Sequence, residues 1–254
     1  MKNPFDLSGR RALVTGGATG IGKAIALGLA GAGADIAITY RSHQPEIVLR
    51  ELEALGVQAV AVQADFEWMD QSGAERLTDF AARGLGGLDI LVNNAGIIHR
   101  QDSVELPLED WRRVVSVNLD SVWLLSQAVG RLMVEQGSGK IVIVSSVLGS
   151  QGGLKVPAYT ASKHAVLGLT RALCNEWAPR GVNVNAVAPG YTATDNTQAL
   201  RDDPVRSREL LGRIPAGRFA DPSEIAGAAV FLASDAASYC HGSVLTVDGG
   251  WLAR

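Results

Sequence analysis

Arg11-Ala12-Leu13-Val14-Thr15-Gly16-Gly17-Ala18-Thr19-Gly20-Ile21-Gly22 is the stretch on which the fold turns. Arg11 to Thr15 reads as a short buried strand, and Lys23 to Ala32 carries a helical pattern. Glycines between a strand and a helix let backbone approach a pyrophosphate, and the helix N-terminus supplies free amides at the positive end of its dipole. The same letters fit an ordinary tight turn, but this placement favours a dinucleotide. Gly16, Thr19, Gly20 and Ile21 are the candidate contacts. The spacing is Gly-x3-Gly-x-Gly rather than G-x-G-x-x-G.

Outward from that turn, strands and helices alternate. Asp35 to Thr39 reads as a second strand ending in Tyr40-Arg41-Ser42, about 20 residues past the glycines. An acid there would hold ribose hydroxyls; Arg41 with Ser42 instead favours NADP, with NAD possible and a solvated surface Arg the plain alternative. Helix from Pro45 to Leu55 and strand from Val57 to Val62 lead to Asp65-Phe66, suited to an adenine contact or a simple turn. Gly73 interrupts a helical segment from about Met69 to Arg83. Leu88 to Val92 is a fourth strand ending in Asn93-Asn94-Ala95-Gly96, and Asn93, Ala95 and Gly96 are read as backbone-level ligand contacts. Glu109 to Gln136 reads as one helix, in which Asn118 is out of place unless its side chain or the local backbone has a job.

The fifth strand, Lys140 to Val144, ends in Ser145-Ser146, and Tyr159 follows Ser146 by 13 positions. Pro157 to Ala178 has few helix breakers, and Pro157 suits its first turn. Tyr159 and Lys163 lie four apart on that helix and share a face. A cation beside a phenol lowers its pKa from about 10, making a general acid/base for a hydroxyl or carbonyl oxygen. Alone, such a pair usually means an exposed amphipathic face, and the rest of the chain must raise the catalytic reading. Gly181 to Val187 is the sixth strand, followed by Pro189-Gly190-Tyr191-Thr192-Ala193-Thr194. Asp195 to Gly212 is polar and helical, an insertion of the kind that covers sites. Asp221-Pro222-Ser223-Glu224 starts a last helix, and Ser243 to Val247 closes the sheet.

The alternation argues an α/β fold: one doubly wound Rossmann domain over residues 1–254, a parallel sheet with helices on both faces, and a substrate-covering segment at about 191–215. At 254 residues and 47% apolar composition the chain buries a large core. A net charge of −3 without basic runs argues against nucleic acid. No apolar run reaches the about 18 residues of a membrane helix, and Met1 to Arg11 lacks a signal-peptide core, so no membrane partner and a cytoplasmic location are expected. Cys174 and Cys240 offer neither a disulfide framework nor metal-ligand spacing.

Thr15 to Gly22, Asn93 to Gly96, Asn118, Ser146, Tyr159, Lys163 and Pro189-Gly190, in this order and at these intervals, resemble the short-chain dehydrogenase/reductase family over nearly the whole chain. The resemblance implies a seven-stranded Rossmann sheet in a homotetramer. It implies Tyr159 as proton donor and acceptor and Ser146 as the hydrogen bond to the substrate oxygen. Lys163 would bind the nicotinamide ribose and lower the Tyr159 pKa, and Asn118 would anchor a relay water. Pro189, Gly190, Thr192 and Thr194 fall where the family holds the nicotinamide amide. Gln151-Gly152-Gly153, Asn175-Glu176-Trp177, Arg213 to Arg218 and Asp248 to Arg254 are further similar to the branch acting on 2-deoxy-D-gluconate and 2-keto-3-deoxygluconate. That branch implies a small, anionic deoxy-keto sugar acid as substrate. Arg100 is the candidate cation, Gln151 a candidate hydroxyl contact, and Tyr191 a further substrate candidate. Tyr40-Arg41-Ser42 departs from the NAD expected of that branch.

Another sugar, a polyol or a 3-oxoacyl compound would suit the same machinery. A nucleotide-sugar epimerase reading suffers from the roughly 60 residues after Gly190. A non-catalytic cofactor sensor has no need of the Tyr, Lys and Ser together.

Overall fold

In a computed structural model describing residues 3–254, the first half of the chain runs β1 (Arg11–Val14), α1 (Gly20–Gly31), β2 (Asp35–Tyr40), α2 (Glu46–Glu53), β3 (Ala59–Gln63), α3 (Gln71–Leu85) and β4 (Ile90–Asn93). It continues α4 (Leu108–Val115), α5 (Ser121–Gln136), β5 (Gly139–Val144), α6 (Pro157–Trp177) and β6 (Val182–Pro189), then α7 (Asp195–Asp202), α8 (Pro204–Arg213), α9 (Ser223–Ala233) and β7 (Val244–Val247). The seven strands form one parallel sheet in the order β3-β2-β1-β4-β5-β6-β7. The expected doubly wound fold is therefore the one observed.

The central strands are buried on both faces, which is why they read as apolar runs rather than alternating ones. Successive residues still serve opposite layers. Leu13, Leu91, Ile141 and Ile143 pack with Leu77, Leu125, Val129 and Val166 of α3, α5 and α6. Val14, Ile90, Val92, Val142 and Val144 pack with Ile25, Leu29, Ile225 and Leu232 of α1 and α9. The order of strands reverses direction between β1 and β4, and the carboxyl ends there open the crevice where such sheets take ligands.

Two local readings differ from the structure. Gly73 does not interrupt α3; it lies in the first turn, where its amide donates to the Asp70 cap at 2.7 Å. The helix expected from Glu109 to Gln136 is α4 and α5 joined through a π-helical turn, Ser116–Asp120. Asn118 sits in that turn, fully buried. One extra residue per turn re-aims the side chain, a local arrangement common at functional sites.

The segment after β6 leaves and rejoins the body at one point. Thr192 bridges Ala220, the Ala193 amide donates to the Ala220 carbonyl at 2.8 Å, and the Ala220 amide donates to the Tyr191 carbonyl at 2.9 Å. Between these stems α7 and α8 pack Leu200, Leu210 and Ile214 against Val147, Trp251 and Phe219. No helix among the described residues is long and apolar enough to cross a membrane.

Candidate active site

The turn between β1 and α1 is latched to the end of β4. Thr15 Oγ1 accepts from the amides of Asn94 and Ala95, each at 2.9 Å, and Asn94 Nδ2 donates to the Thr15 carbonyl at 2.9 Å. Gly16 has φ +63°, a left-handed backbone that glycine adopts readily. A Cβ on Gly22 would lie 2.2 Å from the Gly16 carbonyl oxygen, so only glycine lets α1 start this close to the turn. Thr19 caps α1 without a side-chain hydrogen bond, and no acid lies in the first turn. The leading amides of α1 thus face a cleft with their dipole uncompensated, the arrangement that suits a phosphate group.

That cleft, of about 420 Å³, runs across the sheet's carboxyl ends. Gly16, Thr19, Gly20 and Ile21 line one end, with Tyr40, Arg41, Ser42, Asp65 and Phe66 around them. Among the described residues no carboxylate pairs with exposed Arg41. Asp65 lines the cleft while its carboxylate also accepts from the Glu67 amide at 3.0 Å, so the turn-forming role is real. Ala95, Gly96, Pro189, Gly190, Thr192 and Thr194 line the other end beside Ser146, Tyr159 and Lys163. The glycine cradle, open helix terminus and unpaired cation fit a phosphorylated dinucleotide.

Asn93 is a correction. Its side chain donates to Ser126 Oγ at 3.0 Å on the α5 side and does not line the cleft; Asn94 does. Strand alternation explains it, since Asn93 shares a face with Leu91. His43 and Asn196 also line the cleft and carried no sequence signal.

Ser146 caps a 3₁₀ turn at Val147–Gly149, its Oγ accepting from the Leu148 amide at 3.1 Å. Its hydroxyl hydrogen is therefore left for another oxygen. Lys163, only 5% exposed, donates from Nζ to the Val144 carbonyl at 2.7 Å and stands 5.6 Å from the centre of the Tyr159 ring. Ser145 is occupied by the Lys163 carbonyl at 3.0 Å. Asn118 Nδ2 donates to the Ile97 carbonyl at 2.9 Å and to Ser162 Oγ at 3.2 Å, while its Oδ1 accepts from the Ile97 amide at 2.8 Å. Ser162 in turn donates to the Tyr159 carbonyl at 2.8 Å. The π-turn thus braces both the loop after β4 and the start of α6.

The electrostatics depart from expectation. Burial pushes the Tyr159 phenol above its ordinary value; the Ser146 hydroxyl and then the Arg100 charge pull it partway back, and Tyr191 opposes them. Lys163 is not among the groups that lower it in the protein alone. Burial brings Lys163 itself down to about 8.

A second cavity, of about 330 Å³, adjoins the first and shares Ser146, Tyr159 and Gly190 with it. Arg100 and Tyr191 line it, as do Leu154, Leu200 and Arg206. Arg100 is carried there by a loop whose Gln101 amide donates to the Lys155 carbonyl at 2.9 Å; Lys155 holds a left-handed φ of +61°, rare outside glycine. Gln151 is displaced from its expected place: it lines a further chamber beyond Tyr191, with Arg213 and Trp251, and not the wall beside Ser146 and Tyr159.

Residues 16–252 match the family described as enoyl-(acyl carrier protein) reductase. A 2-dehydro-3-deoxy-D-gluconate 5-dehydrogenase from Bacillus subtilis (strain 168) is 50% identical over 256 residues, spanning 100% of this chain and 99% of the relative. A solved structure from Agrobacterium tumefaciens with bound NADP is 52% identical, covers 100% of both chains and has a TM-score of 0.93. A gluconate 5-dehydrogenase from Burkholderia cenocepacia J2315, in complex with NADP and tartrate, is 39% identical over 99% of this chain and 98% of its own, also with a TM-score of 0.93.

Proposed function

We propose, for a chain that belongs to the short-chain dehydrogenase/reductase family, that it works as an NADP-dependent dehydrogenase of the C5 hydroxyl of a six-carbon 2-oxo-3-deoxy sugar acid. It is an oxidoreductase that moves a hydride between a nicotinamide cofactor and a secondary alcohol. The observation that carries the substrate reading is the seam formed by Ser146 and Tyr159, with a dinucleotide-shaped cleft on one side and an arginine-bearing cavity on the other.

Gly16, Thr19, Gly20 and Ile21 would hold the pyrophosphate, and Arg41 with Ser42 the 2′-phosphate. Lys163 would hold the nicotinamide ribose, and Thr192 and Thr194 the carboxamide. When bound, the nicotinamide supplies or accepts the hydride. Ser146 donates its free hydroxyl hydrogen to the substrate oxygen and fixes it against Tyr159 Oη. In the oxidative direction the Tyr159 phenolate takes the hydroxyl proton; in the reductive direction the phenol returns it to the carbonyl oxygen. Arg100 and the Lys163 ammonium flank that phenolate. Asn118 holds the π-turn where a relay water would carry the proton onward. The helices α7 and α8 cover the substrate. The same reading makes the protein a cytoplasmic homotetramer; sedimentation would test the assembly and cell fractionation the location.

The deciding experiment follows absorbance of the reduced nicotinamide with deoxy-keto sugar acids, each run with NADP and NAD. Turnover with the sugar acids and a preference for NADP is the expected result. Turnover with 3-oxoacyl thioesters and none with sugar acids would overturn the substrate.

A further inference from the structure

The chamber beyond Tyr191 is not accounted for by hydride transfer. It holds about 430 Å³ and shares Leu148, Gly153, Leu154, Tyr191 and Arg206 with the substrate cavity, so the two adjoin at a wall that includes Tyr191. Tyr191 is a rigid divider: its ring packs on Trp251 at 4.8 Å and edge-on to Phe219 at 6.2 Å. On the far side the Arg213 guanidinium lies over the Trp251 ring, its Cζ 3.9 Å from the ring centre, and Trp251 is only 3% exposed. That guanidinium is pre-oriented by stacking, and among the described residues no carboxylate pairs with it. Arg206 faces both spaces and pairs with Glu209 at 2.8 Å.

The three arginines divide by the spaces they line. Arg100 lines only the cavity that holds Ser146 and Tyr159, Arg213 only the chamber, and Arg206 both. A substrate with C5 at Tyr159 has its C1 carboxylate four carbon–carbon bonds away, about 5 Å when extended. Arg206, which lines the cavity with Tyr159 and the chamber with Arg213, is the cation shared by the two spaces. Guanidinium groups recognise carboxylates in a planar, two-pronged geometry that a lysine cannot reproduce.

We propose, resting on the sugar-acid reading above, that Arg206 with Arg213 receives the substrate's C1 carboxylate at the mouth of this chamber, while Arg100 serves the reacting end. Arg206 and Arg213 are then the residues that select a sugar acid over an uncharged sugar. Glu209 is a placeholder: the incoming carboxylate takes its partner.

The test compares the 2-oxo-3-deoxy acid with its C1 carboxamide, as a ratio of kcat/KM, in the wild type, Arg206→Gln, Arg213→Gln and Glu209→Gln. Loss of one charge-assisted contact reduces the preference for the acid about ten- to a hundredfold in Arg206→Gln and likewise in Arg213→Gln. Arg206→Lys restores part of it, and Glu209→Gln lowers KM for the acid. Equal losses on acid and amide, or no change in the ratio, overturn the inference while the sugar-acid reading stands. A wild type that turns over neither compound sinks that reading instead. In that case calorimetric binding of tartrate to the NADP-loaded protein still decides: binding weakened at least about tenfold in Arg206→Gln supports the anion receptor, and unchanged binding overturns it.

Discussion

Tyr159 is the residue whose chemistry and environment pull in opposite directions. Burial makes its phenol harder to ionise, and Ser146 and Arg100 only partly offset this. Replacing it with Phe keeps the ring that shapes the cleft and removes the proposed proton carrier. NADP affinity should therefore survive while turnover falls by about 10²–10⁴-fold, read by fluorescence titration beside steady-state rates. Near wild-type turnover would remove Tyr159 from the mechanism. Lys163 gives a pH signature. Its value in the folded protein, about 8, lies below the ordinary 10.5. Between these values the unfolded chain binds the proton more strongly, so this residue's contribution to stability rises with pH from about 8 to 10.5 and the full cost of the buried charge is felt below. Compared with Lys163→Met, the wild type should gain up to roughly 3 kcal/mol between pH 7 and 10.5 in denaturant unfolding. Parallel pH curves for the two proteins would show that Lys163 titrates normally. At this scale the residue types were legible but their orientation was not always. Tyr159, Ser146 and Lys163 stand out by interval, whereas Asn93 and Asn94 are adjacent identical letters that only strand alternation separates.

At the level of elements, the strand–turn–helix unit from Arg11 to Gly31 was legible because its signal is local. The glycines stand where backbone must pass backbone. Gly22→Ala would drive a methyl group to 2.2 Å from the Gly16 carbonyl oxygen and 2.4 Å from Asn94 Nδ2. The start of α1 must shift, so NADP affinity should fall by at least about tenfold, measured by titration, with thermal stability reduced as well. Unaltered affinity would show that α1 does not seat the pyrophosphate. The π-turn at Ser116–Asp120 was not legible as such. A single inserted residue leaves the apolar periodicity of the flanking helices nearly intact, and only Asn118 in an apolar setting betrayed it. Helices α7 and α8 were visible as a polar helical stretch, yet the contacts through Leu210 and Ile214 that bind them to the C-terminal turn involve residues distant in sequence.

The molecule as a whole divides its labour along the sheet. The β1–β4 crevice and the turn after β2 face one long cleft, and the segments after β5 and β6 build the cavity for the other reactant. This division predicts how ligands stabilise the protein. NADP at about a hundred times its Kd should add about 2.7 kcal/mol, visible as a raised unfolding temperature. Arg41→Ala should abolish the advantage of NADP over NAD and leave the shift caused by NAD; an undiminished NADP advantage would place 2′-phosphate recognition elsewhere. The sheet and its layers could be read from alternation because they repeat a local pattern. The adjacency of two cavities at Tyr191 could not, since it brings the segments after β4, β5 and β6 together with α8 and the C-terminal turn. One consequence follows from the bonds that pinch the chain together at Thr192, Ala193 and Ala220. They make residues 193–219 a cassette with a fixed footprint. A related enzyme's stretch transplanted there would leave every strand in register, so substrate range can diversify by exchange of one module, provided that Thr194 and its neighbours on the cofactor cleft are kept.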